Sequence, residues 1–298
     1  MEFELINFFR QRIPKYPCVR VGIGDDAAVI DLDIQQCVIT TDVLMDGVDF
    51  ISSQASPEQI GRKALAVNLS DLAAMAASPK ACVVGLVLPQ KGGMELAKRL
   101  YEGLLPLARD FQIAVAGGDT NSWDGPLVIS VTALGLPPPG GVLSRSGARP
   151  GDRIIVTGDF GGSILGKHLT FTPRVWEAIF LYRSYEIHAG IDVSDGLALD
   201  LWRVTQESGG GAVVHADSVP ISEAACRIVK QEKGKQKPLD RALYDGEDFE
   251  LILAVPPAEA ERMLRDQPLS VKLTDIGEFV AEKGLWLEKG KKRTALQP

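Results

Sequence analysis

Short apolar runs bounded by glycine, proline or aspartate recur along the first half of the chain and predict β-strands. They are Cys37–Ile39, Ala81–Leu88, Ile113–Ala116 and Leu127–Ala133. Ser56-Pro-Glu-Gln59 combines an N-cap, a proline at the first helical position and a capping-box glutamine, so a helix is predicted from there to about Ala77. A second helix is predicted over Gly93–Asp110, and the proline- and glycine-rich segment 136–141 ends this mixed unit.

The second half repeats the mixture of strand and helix patterns. Asp152–Thr157 predicts a strand, which leads into the glycine turn Gly158–Gly162 and then into a helix. The remaining predicted elements are a helix from after Ser194 to Gly209–Gly211, strands at Ala212–His215 and Phe249–Val255, and a short helix over Pro257–Arg265. The pattern therefore predicts an α/β protein of the α+β type with two domains, residues 1–138 and 139–298.

Composition and charge narrow the class of protein. The chain has 298 residues, 45% of them hydrophobic, and a net charge of −7. This charge disfavours nucleic acid as a partner, because that binding needs a cationic surface. No apolar run approaches the roughly 18 residues that span a bilayer, and no basic-then-apolar leader is visible, so we expect no membrane partner and a cytoplasmic location.

The supply of ligand residues restricts any metal site. The chain has only 3 histidines, and its 4 cysteines lie far apart without a C-x-x-C pair, which argues against a zinc knuckle or a redox motif. A metal site must therefore use oxygen ligands, which favours Mg²⁺, Ca²⁺ or Mn²⁺ over zinc or copper.

Two glycine-rich segments look like nucleotide-binding loops but depart from them. Gly161–His168 nearly matches the phosphate loop G-x-x-x-x-G-K-[ST], but His168 lacks the hydroxyl that would hold Mg²⁺, so we interpret it as a glycine turn that opens a helix. Gly22–Ala27 reads GIGDDA and places two carboxylates where a dinucleotide fingerprint would hold pyrophosphate. Phosphate could bind there only if something cancels the repulsion between the anions.

Several aspartates stand at the ends of predicted strands or inside an apolar helix. They are Asp25, Asp26, Asp42, Asp71, Asp119, Asp192 and Asp195. Taken singly, Asp25 or Asp119 could form an Asx-turn, and Asp195 could be a helix N-cap. Together they suggest a cluster of hard cations, for which polyphosphate is the usual ligand, and Mg²⁺ between carboxylate and phosphate would turn repulsion into attraction.

Asp71 is the hardest of these residues to explain as a surface group. The helix positions Ala64, Val67, Ala74 and Met75 pack around the same turns, so the carboxylate lies on or beside a face meant for burial. An ionised carboxylate there is costly unless it is paired or coordinates a metal. We therefore expect Asp71 to be a metal ligand.

The order of the aspartate-bearing motifs resembles that of the thiamine-monophosphate kinase family. The motifs are GIGDDAAV, TTDVLMDGVDF, KALAVNLSDLAAMAASP, GGDT, LSRSGARPGD, IDVSDGL and GEDFEL. The resemblance implies transfer of the γ-phosphoryl of ATP to thiamine monophosphate, and a two-domain fold like that of aminoimidazole ribonucleotide synthetase. It also implies an N-terminal ATP- and Mg²⁺-binding domain, a homodimer whose N-terminal strands pair across the interface, several Mg²⁺ ions and a possible monovalent cation.

The same resemblance assigns roles to single residues. The implied Mg²⁺ ligands are Asp25, Asp26, Thr40, Thr41, Asp42, Asp71, Asp119, Asp192 and Asp195. The implied ATP contacts are Tyr101, Gly118, Asp119, Arg145 and Ser194, and the implied contacts to the thiamine-bearing substrate are Asp49 and Glu247. No residue is expected to act as a general base, because a phosphate monoester is already largely ionised near neutral pH.

Two departures from the family pattern bear on the substrate site. Where many relatives have an Arg-Pro-x-Pro-Arg run, Thr170–Arg174 keeps only the last Pro-Arg. Family members usually end in an aromatic segment that covers the thiamine, whereas this sequence stops at Leu296-Gln-Pro298. Either the sequence is truncated, or the wall of the substrate site is supplied by other residues.

The same residues are also compatible with two other functions. One is another ATP-dependent enzyme of the same superfamily, of the aminoimidazole ribonucleotide synthetase or selenophosphate synthetase type. The latter is disfavoured because no cysteine stands in a glycine-rich N-terminal loop. The other is a non-catalytic module that binds divalent cations, in which the aspartates would be structural.

Overall fold

The computed structural model describes residues 19–21, 25–32, 35–232 and 236–298. The chain divides into two units, of which the first ends at Val142 and the second begins at Leu143. Within the described ranges, none of the helices has the length and apolar character that crossing a membrane requires. Each unit is built on its own mixed β-sheet.

The first unit carries a sheet whose described strands have the order β1-β2-β3-β6-β4-β5. These strands are β1 Val19–Val21, β2 Ala28–Leu32, β3 Gln35–Met45, β4 Ser78–Pro89, β5 Ala114–Trp123 and β6 Val128–Leu136. Strands β4 and β5 are parallel, and the other pairs are antiparallel. Helix α1, Pro57–Ala74, precedes β4, and helix α2, Gly93–Asp110, is the crossover that a parallel pair requires.

Helix α1 begins where its sequence predicts. The backbone N–H of Gln59 donates to Ser56 Oγ at 3.3 Å, and the backbone N–H of Ser56 donates to Gln59 Oε1 at 2.9 Å, which forms the predicted capping box. The helix ends at Ala74 rather than at the predicted Ala77, because Ala76 adopts a left-handed φ of 52°. Helix α2 has the predicted bounds.

Helices α1 and α2 approach each other through two glycines. A Cβ at Gly61 would lie 1.9 Å from the carbonyl oxygen of Leu100, and a Cβ at Gly103 would lie 1.8 Å from the carbonyl oxygen of Glu58. Both distances are far shorter than van der Waals contact, so each helix fits only because the other presents no side chain there. The two helices are therefore in direct backbone contact at these positions.

The second unit carries a sheet with the order β13-β12-β9-β11-β7-β10-β8 in its described strands. The strands are β7 Arg153–Thr157, β8 Ala189–Asp192, β9 Gly211–His215, β10 Leu251–Val255, β11 Leu273–Val280, β12 Gly284–Lys289 and β13 Lys292–Ala295. The helices are α3 Lys167–Thr170, α4 Val175–Ser184, α5 Leu197–Ser208, α6 Glu223–Glu232, α7 Pro238–Tyr244 and α8 Pro257–Asp266. Strand β10 and the face of α5 that carries Leu197, Leu201 and Val204 pack into one apolar core.

Three differences from the sequence prediction bear on the site. Strand β5 does not end at Ala116 but continues to Trp123, so Asp119 lies within a strand rather than at its end. Asp42 likewise lies inside β3. The helix predicted after the glycine turn is limited to a 3₁₀ turn, Ser163–Leu165, and the four-residue α3, because Gly166 with a φ of 130° interrupts it.

Gly61→Ala should lower the free energy of unfolding by at least about 2 kcal/mol, because over-packing at the helix contact outweighs the better helix propensity of alanine. Urea unfolding measures this difference. Glu102→Ala, at an exposed position of α2 beside Gly103, is the control and should change stability little. Equal stability of Gly61→Ala and the parent chain would contradict the close contact.

Candidate functional site

Two aspartates of the first unit bring carboxylate oxygens together. Asp26 lies between β1 and β2, Asp71 lies in α1, and a carboxylate oxygen of each lies within 4.8 Å of the other. The hydroxyl of Thr40 on β3 donates to Asp71 Oδ2 at 2.5 Å. Asp26 keeps only 8% of its surface exposed. A loop, a helix and a strand therefore bring carboxylate and hydroxyl oxygens together in one compact group.

The burial around Asp71 follows from the composition of α1. Ala64, Val67, Ala74 and Met75 are buried, as the sequence predicts, and Asp71 itself is half-buried. One turn earlier, Asn68 is fully buried and donates from Nδ2 to the carbonyl oxygen of Ala64 at 3.1 Å. The packing of the apolar side chains of α1 therefore fixes the positions of Asn68 and Asp71.

Asp42 on β3 has a buried oxygen without a partner. Its Oδ2 is inaccessible to solvent and accepts no hydrogen bond within the described part of the chain. Burial, and secondarily the negative charge of Asp49, raises the pKa of Asp42 to about 6. A buried carboxylate oxygen of this kind is costly when ionised unless a cation or a donor reaches it. A hard cation with oxygen ligands fits this position.

Asp49 is held in a turn that follows β3. Its Oδ2 accepts a hydrogen bond from the backbone N–H of Met45 at 2.7 Å. Its carbonyl oxygen accepts one from Lys63 Nζ at 2.6 Å, and Lys63 is almost completely buried in α1. Sequence reasoning missed Lys63, although a lysine inside the apolar pattern of α1 is a visible signal.

The remaining predicted ligands of the first unit form hydrogen bonds within that unit. Thr41 Oγ1 donates to the carbonyl oxygen of Val131 at 3.1 Å, on the face of β3 opposite to Thr40. Asp25 Oδ1 accepts the backbone N–H of Asp26 at 3.0 Å, and the exposed Asp119 accepts that of Thr120 at 2.8 Å. Their role as metal ligands stays a prediction.

The sheet register separates Asp42 from Asp119. Asp42, Val131, Val84 and Gly118 are successive partners across β3, β6, β4 and β5. Three strand spacings of about 4.8 Å place the backbone at Asp119 about 14 Å from Asp42. Since Mg²⁺ binds oxygens at about 2.1 Å, one ion cannot reach both carboxylates. The predicted ligand set therefore requires more than one ion.

The predicted nucleotide contacts of the first unit lie on β5 and α2. Position 118 requires glycine because β4 lies close to it: a Cβ on Gly118 would be 1.9 Å from the carbonyl oxygen of Val84. Tyr101 is half-buried on α2, and burial, with a smaller effect from Cys82, raises its pKa. Neither observation tests ATP binding, so both assignments stay predictions.

In the second unit, the predicted residues Asp192, Ser194 and Asp195 lie where β8 leads into α5. Asp192 ends β8 and is 2% exposed, whereas Asp195 is exposed and accepts a hydrogen bond from Arg203 Nη1 at 2.5 Å. The interpretation of Asp195 as a helix N-cap is wrong. The N-cap is Gly196, and the buried Asp200 in the first turn of α5 reaches back to this loop, where its Oδ2 accepts the backbone N–H of Asp195 at 2.9 Å and that of Gly196 at 3.1 Å.

Glu247 is joined to the same loop by its backbone. Its N–H donates to the carbonyl oxygen of Ser194 at 2.7 Å, and its φ of 62° lies in the left-handed region. Arg145, the predicted ATP contact of this unit, is half-buried, and its carbonyl oxygen accepts a hydrogen bond from Ser208 Oγ at 3.1 Å. The roles of both residues in binding stay predictions.

Sequence reasoning also missed a buried group of charges next to Glu247. Asp248 and Glu250 are almost fully buried, and Arg174 and Lys167 lie beside Glu250. Burial raises the pKa of Asp248 to about 7, although Lys167 and the hydrogen bonds from the Gly161 backbone oppose that shift. The signal in the sequence was GEDFEL, which places three acidic residues around Phe249 directly before a buried strand.

Family comparisons match both units. Residues 24–136 match the N-terminal domain of AIR synthase related protein, and residues 165–288 match its C-terminal domain. A thiamine-monophosphate kinase of Rhodopirellula baltica is 45% identical over 295 residues, which cover 96% of this chain and 92% of the relative.

Solved structures show the same likeness. The structure of AaThiL complexed with AMPPCP and TMP has a TM-score of 0.83 and 28% identity, and the match covers 98% of this chain and 95% of that one. A thiamine-monophosphate kinase of Stenotrophomonas maltophilia has a TM-score of 0.76 and 34% identity, with 96% of each chain covered. These matches confirm the predicted fold of two domains.

Asp248→Asn should change how stability depends on pH. The pKa of Asp248 is raised to about 7 in the folded chain, while an unfolded aspartate has a pKa near about 4. Between these values the folded state holds a proton that the unfolded state has released, so the free energy of unfolding decreases as pH rises. Removing this group should make the decrease shallower by at most about 1.4 kcal/mol per pH unit.

Urea unfolding of the parent and of Asp248→Asn at a series of pH values between 4.5 and 7.5 measures this difference. Asp217→Asn, in which the replaced side chain is 75% exposed, is the control and should follow the parent. Parallel curves for the parent and Asp248→Asn would show that Asp248 does not titrate in this range.

Proposed function

We propose that this chain, which belongs to the thiamine-monophosphate kinase family, transfers the γ-phosphoryl group of ATP to thiamine monophosphate and forms thiamine diphosphate. The observation that carries the proposal is the group of oxygen atoms from Asp26, Thr40 and Asp71 in the unit that matches the N-terminal AIR synthase related domain. The relatives named thiamine-monophosphate kinase, and the AaThiL complex with a nucleotide analogue and TMP, support the choice of reaction.

The carboxylates fit Mg²⁺ better than an organic cation. Asp26 and Asp71 bring oxygens within 4.8 Å of each other, and Asp42 Oδ2 is buried without a partner in the described ranges. Carboxylate and hydroxyl oxygens are the ligands that Mg²⁺ prefers. We propose that Asp26, Asp42, Asp71 and Thr40 hold such ions, and that Asp25, Thr41, Asp119, Asp192 and Asp195 are further Mg²⁺ ligands.

Bound Mg²⁺ would neutralise the charge of the phosphates that must approach each other. The residues of the chain would then contribute mainly by positioning the two substrates. Gly118, which lies against β4, has no side chain to cover the backbone, so the backbone next to Asp119 can contact the nucleotide. Arg145 supplies a cation that keeps its proton at any physiological pH. Glu247 and Asp49 would orient the thiamine-bearing substrate. We propose a direct in-line transfer, because an ionised phosphate monoester needs no general base.

Another ATP-dependent reaction of the same superfamily is the second candidate. The AIR synthase related domains are shared by this wider group, so the match to them does not by itself select the substrate. Thiamine monophosphate is favoured because the relative at 45% identity is named for it.

Asp71→Asn tests the reaction and the metal site together. With ATP, Mg²⁺ and thiamine monophosphate, the parent chain should form thiamine diphosphate and ADP in equal amounts, and chelation of Mg²⁺ by EDTA should stop the reaction. Asp71→Asn should be at least about 100-fold slower, because it loses one charge of the ligand set. Mass-resolved chromatography of the products measures the rates.

Asp124→Asn, at an exposed turn, is the matched control and should keep the parent rate. Formation of ADP without thiamine diphosphate would favour another reaction of the superfamily, and absence of ATP-dependent protection from heat unfolding would favour a module that only binds cations. A protein mass increased by one phosphoryl group after mixing with ATP alone would exclude direct transfer.

We also propose a homodimer formed through the sheet of the first unit. Strand β5 lies at a sheet edge with most of its residues exposed, and Val43, Val83 and Trp123 expose apolar side chains on this sheet. Exposed edges and apolar faces of this kind favour association. Light scattering coupled to size exclusion should give about twice the chain mass of 32.1 kDa, and a monomer mass at assay concentration would contradict the dimer.

A further inference from the structure

The segment 245–250, which joins α7 to β10, has an unusual backbone. Glu247 and Phe249 adopt left-handed φ values of 62° and 51°. Glutamate and especially phenylalanine rarely adopt this region, because the side chain crowds the backbone. Such a conformation persists only where surrounding contacts stabilise it, and it is common at functional sites.

One side of the segment is bonded to the loop between β8 and α5. The N–H of Glu247 donates to the carbonyl oxygen of Ser194 at 2.7 Å, and the N–H of Phe249 donates to that of Val193 at 2.8 Å. Gly246 lies so close that a Cβ there would be 2.7 Å from the carbonyl oxygen of Ser194. The left-handed conformation is what turns both N–H groups toward this loop.

The other side of the segment is bonded to the turn that follows β7. Both carboxylate oxygens of Asp248 accept the backbone N–H of Gly161, at 2.9 and 3.1 Å. Ser163 Oγ donates to the carbonyl oxygen of Glu247 at 2.5 Å. Glu247 therefore lies between two loops, and its backbone is bonded to both.

Glu250, at the end of the segment, is held by two cations and a hydroxyl. It is 1% exposed and accepts Arg174 Nε and Nη2, each at 2.8 Å. Thr157 Oγ1 donates to it at 2.7 Å, and Lys167 Nζ lies 3.1 Å away. Burial would raise the pKa of Glu250, but the hydrogen bonds from Arg174 and the charge of Lys167 outweigh it and lower the pKa.

The chain around α3 contacts the segment at a second point. The ring of Phe171 stacks on that of Phe249, with centroids 4.0 Å apart and planes 12° from parallel. Phe171 precedes Arg174 by three residues, so the chain after α3 holds Phe249 by stacking and Glu250 by a bidentate ion pair. Both contacts lie at the C-terminal end of the left-handed segment.

We propose that the Arg174–Glu250 ion pair is a positioning device for Glu247. It holds the segment 245–250 in its left-handed conformation and thereby sets the affinity for the thiamine-bearing substrate. The inference rests on the proposed function, in which Glu247 contacts that substrate. Arg174 and Glu250 act through Glu247 and need not touch the reacting atoms.

Arg174→Lys tests this role, because lysine keeps the charge but cannot form the planar two-pronged contact. The KM for thiamine monophosphate should rise about tenfold, the scale of one lost charge-assisted hydrogen bond. The kcat and the KM for ATP should change by less than about threefold, because residues 193–196 are also held by the ends of β8 and α5 and by the hydrogen bonds from Asp195 and Gly196 to Asp200 Oδ2. Amide hydrogen exchange of peptides that cover 245–252 should become faster.

Arg153→Lys is the matched control. Arg153 forms a bidentate pair with Asp275 at 2.7 and 3.0 Å in the same sheet, away from the segment. It should leave both the KM for thiamine monophosphate and the exchange of 245–252 unchanged. Thr157→Val and Thr157→Ser form a second pair: valine removes the hydroxyl bonded to Glu250 and should raise the same KM, and serine should restore it.

The outcomes separate the two proposals. A parent chain that makes no thiamine diphosphate overturns the proposed function and the substrate role of the pair together. An active parent, with an Arg174→Lys variant whose KM for thiamine monophosphate is unchanged, overturns the positioning role alone. Unchanged exchange of 245–252, or an equal loss in kcat and in both KM values, also overturns it.

Discussion

Burial of carboxylate charge is the constraint that shapes both units. A carboxylate removed from water requires donors or cations at close range. In the second unit the chain supplies them itself, since Arg174, Lys167 and Thr157 surround Glu250. In the first unit Asp42 Oδ2 is buried with no such partner among the residues described. Glu250 is therefore part of the internal structure of its unit, whereas Asp42 Oδ2 is available to a ligand.

The sequence predicted the elements whose signals are local. The start of α1 follows from four consecutive residues, and the burial around Asp71 follows from the helical spacing of Ala64, Val67 and Ala74. Strand β5 was predicted too short, because Gly117 and Gly118 are typical strand breakers in sequence. Here the parallel pairing with β4 carries the strand through both glycines, and the close contact at Val84 requires one of them.

Features that depend on distant parts of the chain could not be predicted in this way. Strand β13 has no apolar signal, because Lys292–Ala295 lies exposed at the edge of its sheet. Arg174 and Glu250 are 76 residues apart, and no periodicity links them. The left-handed φ of Phe249 contradicts the preference of its own side chain, so tertiary contacts decide that conformation. The sequence therefore predicted which residue types the candidate site contains, but not the contacts and backbone conformations that arrange them.

The buried ion pair of the second unit also restricts how this protein can diverge. Loss of either Arg174 or Glu250 alone leaves the other charge buried without its main partner, which is far more costly than replacing both by apolar residues. Single substitutions at either position should therefore be removed by selection, while a paired exchange can persist. The two positions should therefore covary, so that related sequences keep both residues or exchange both together.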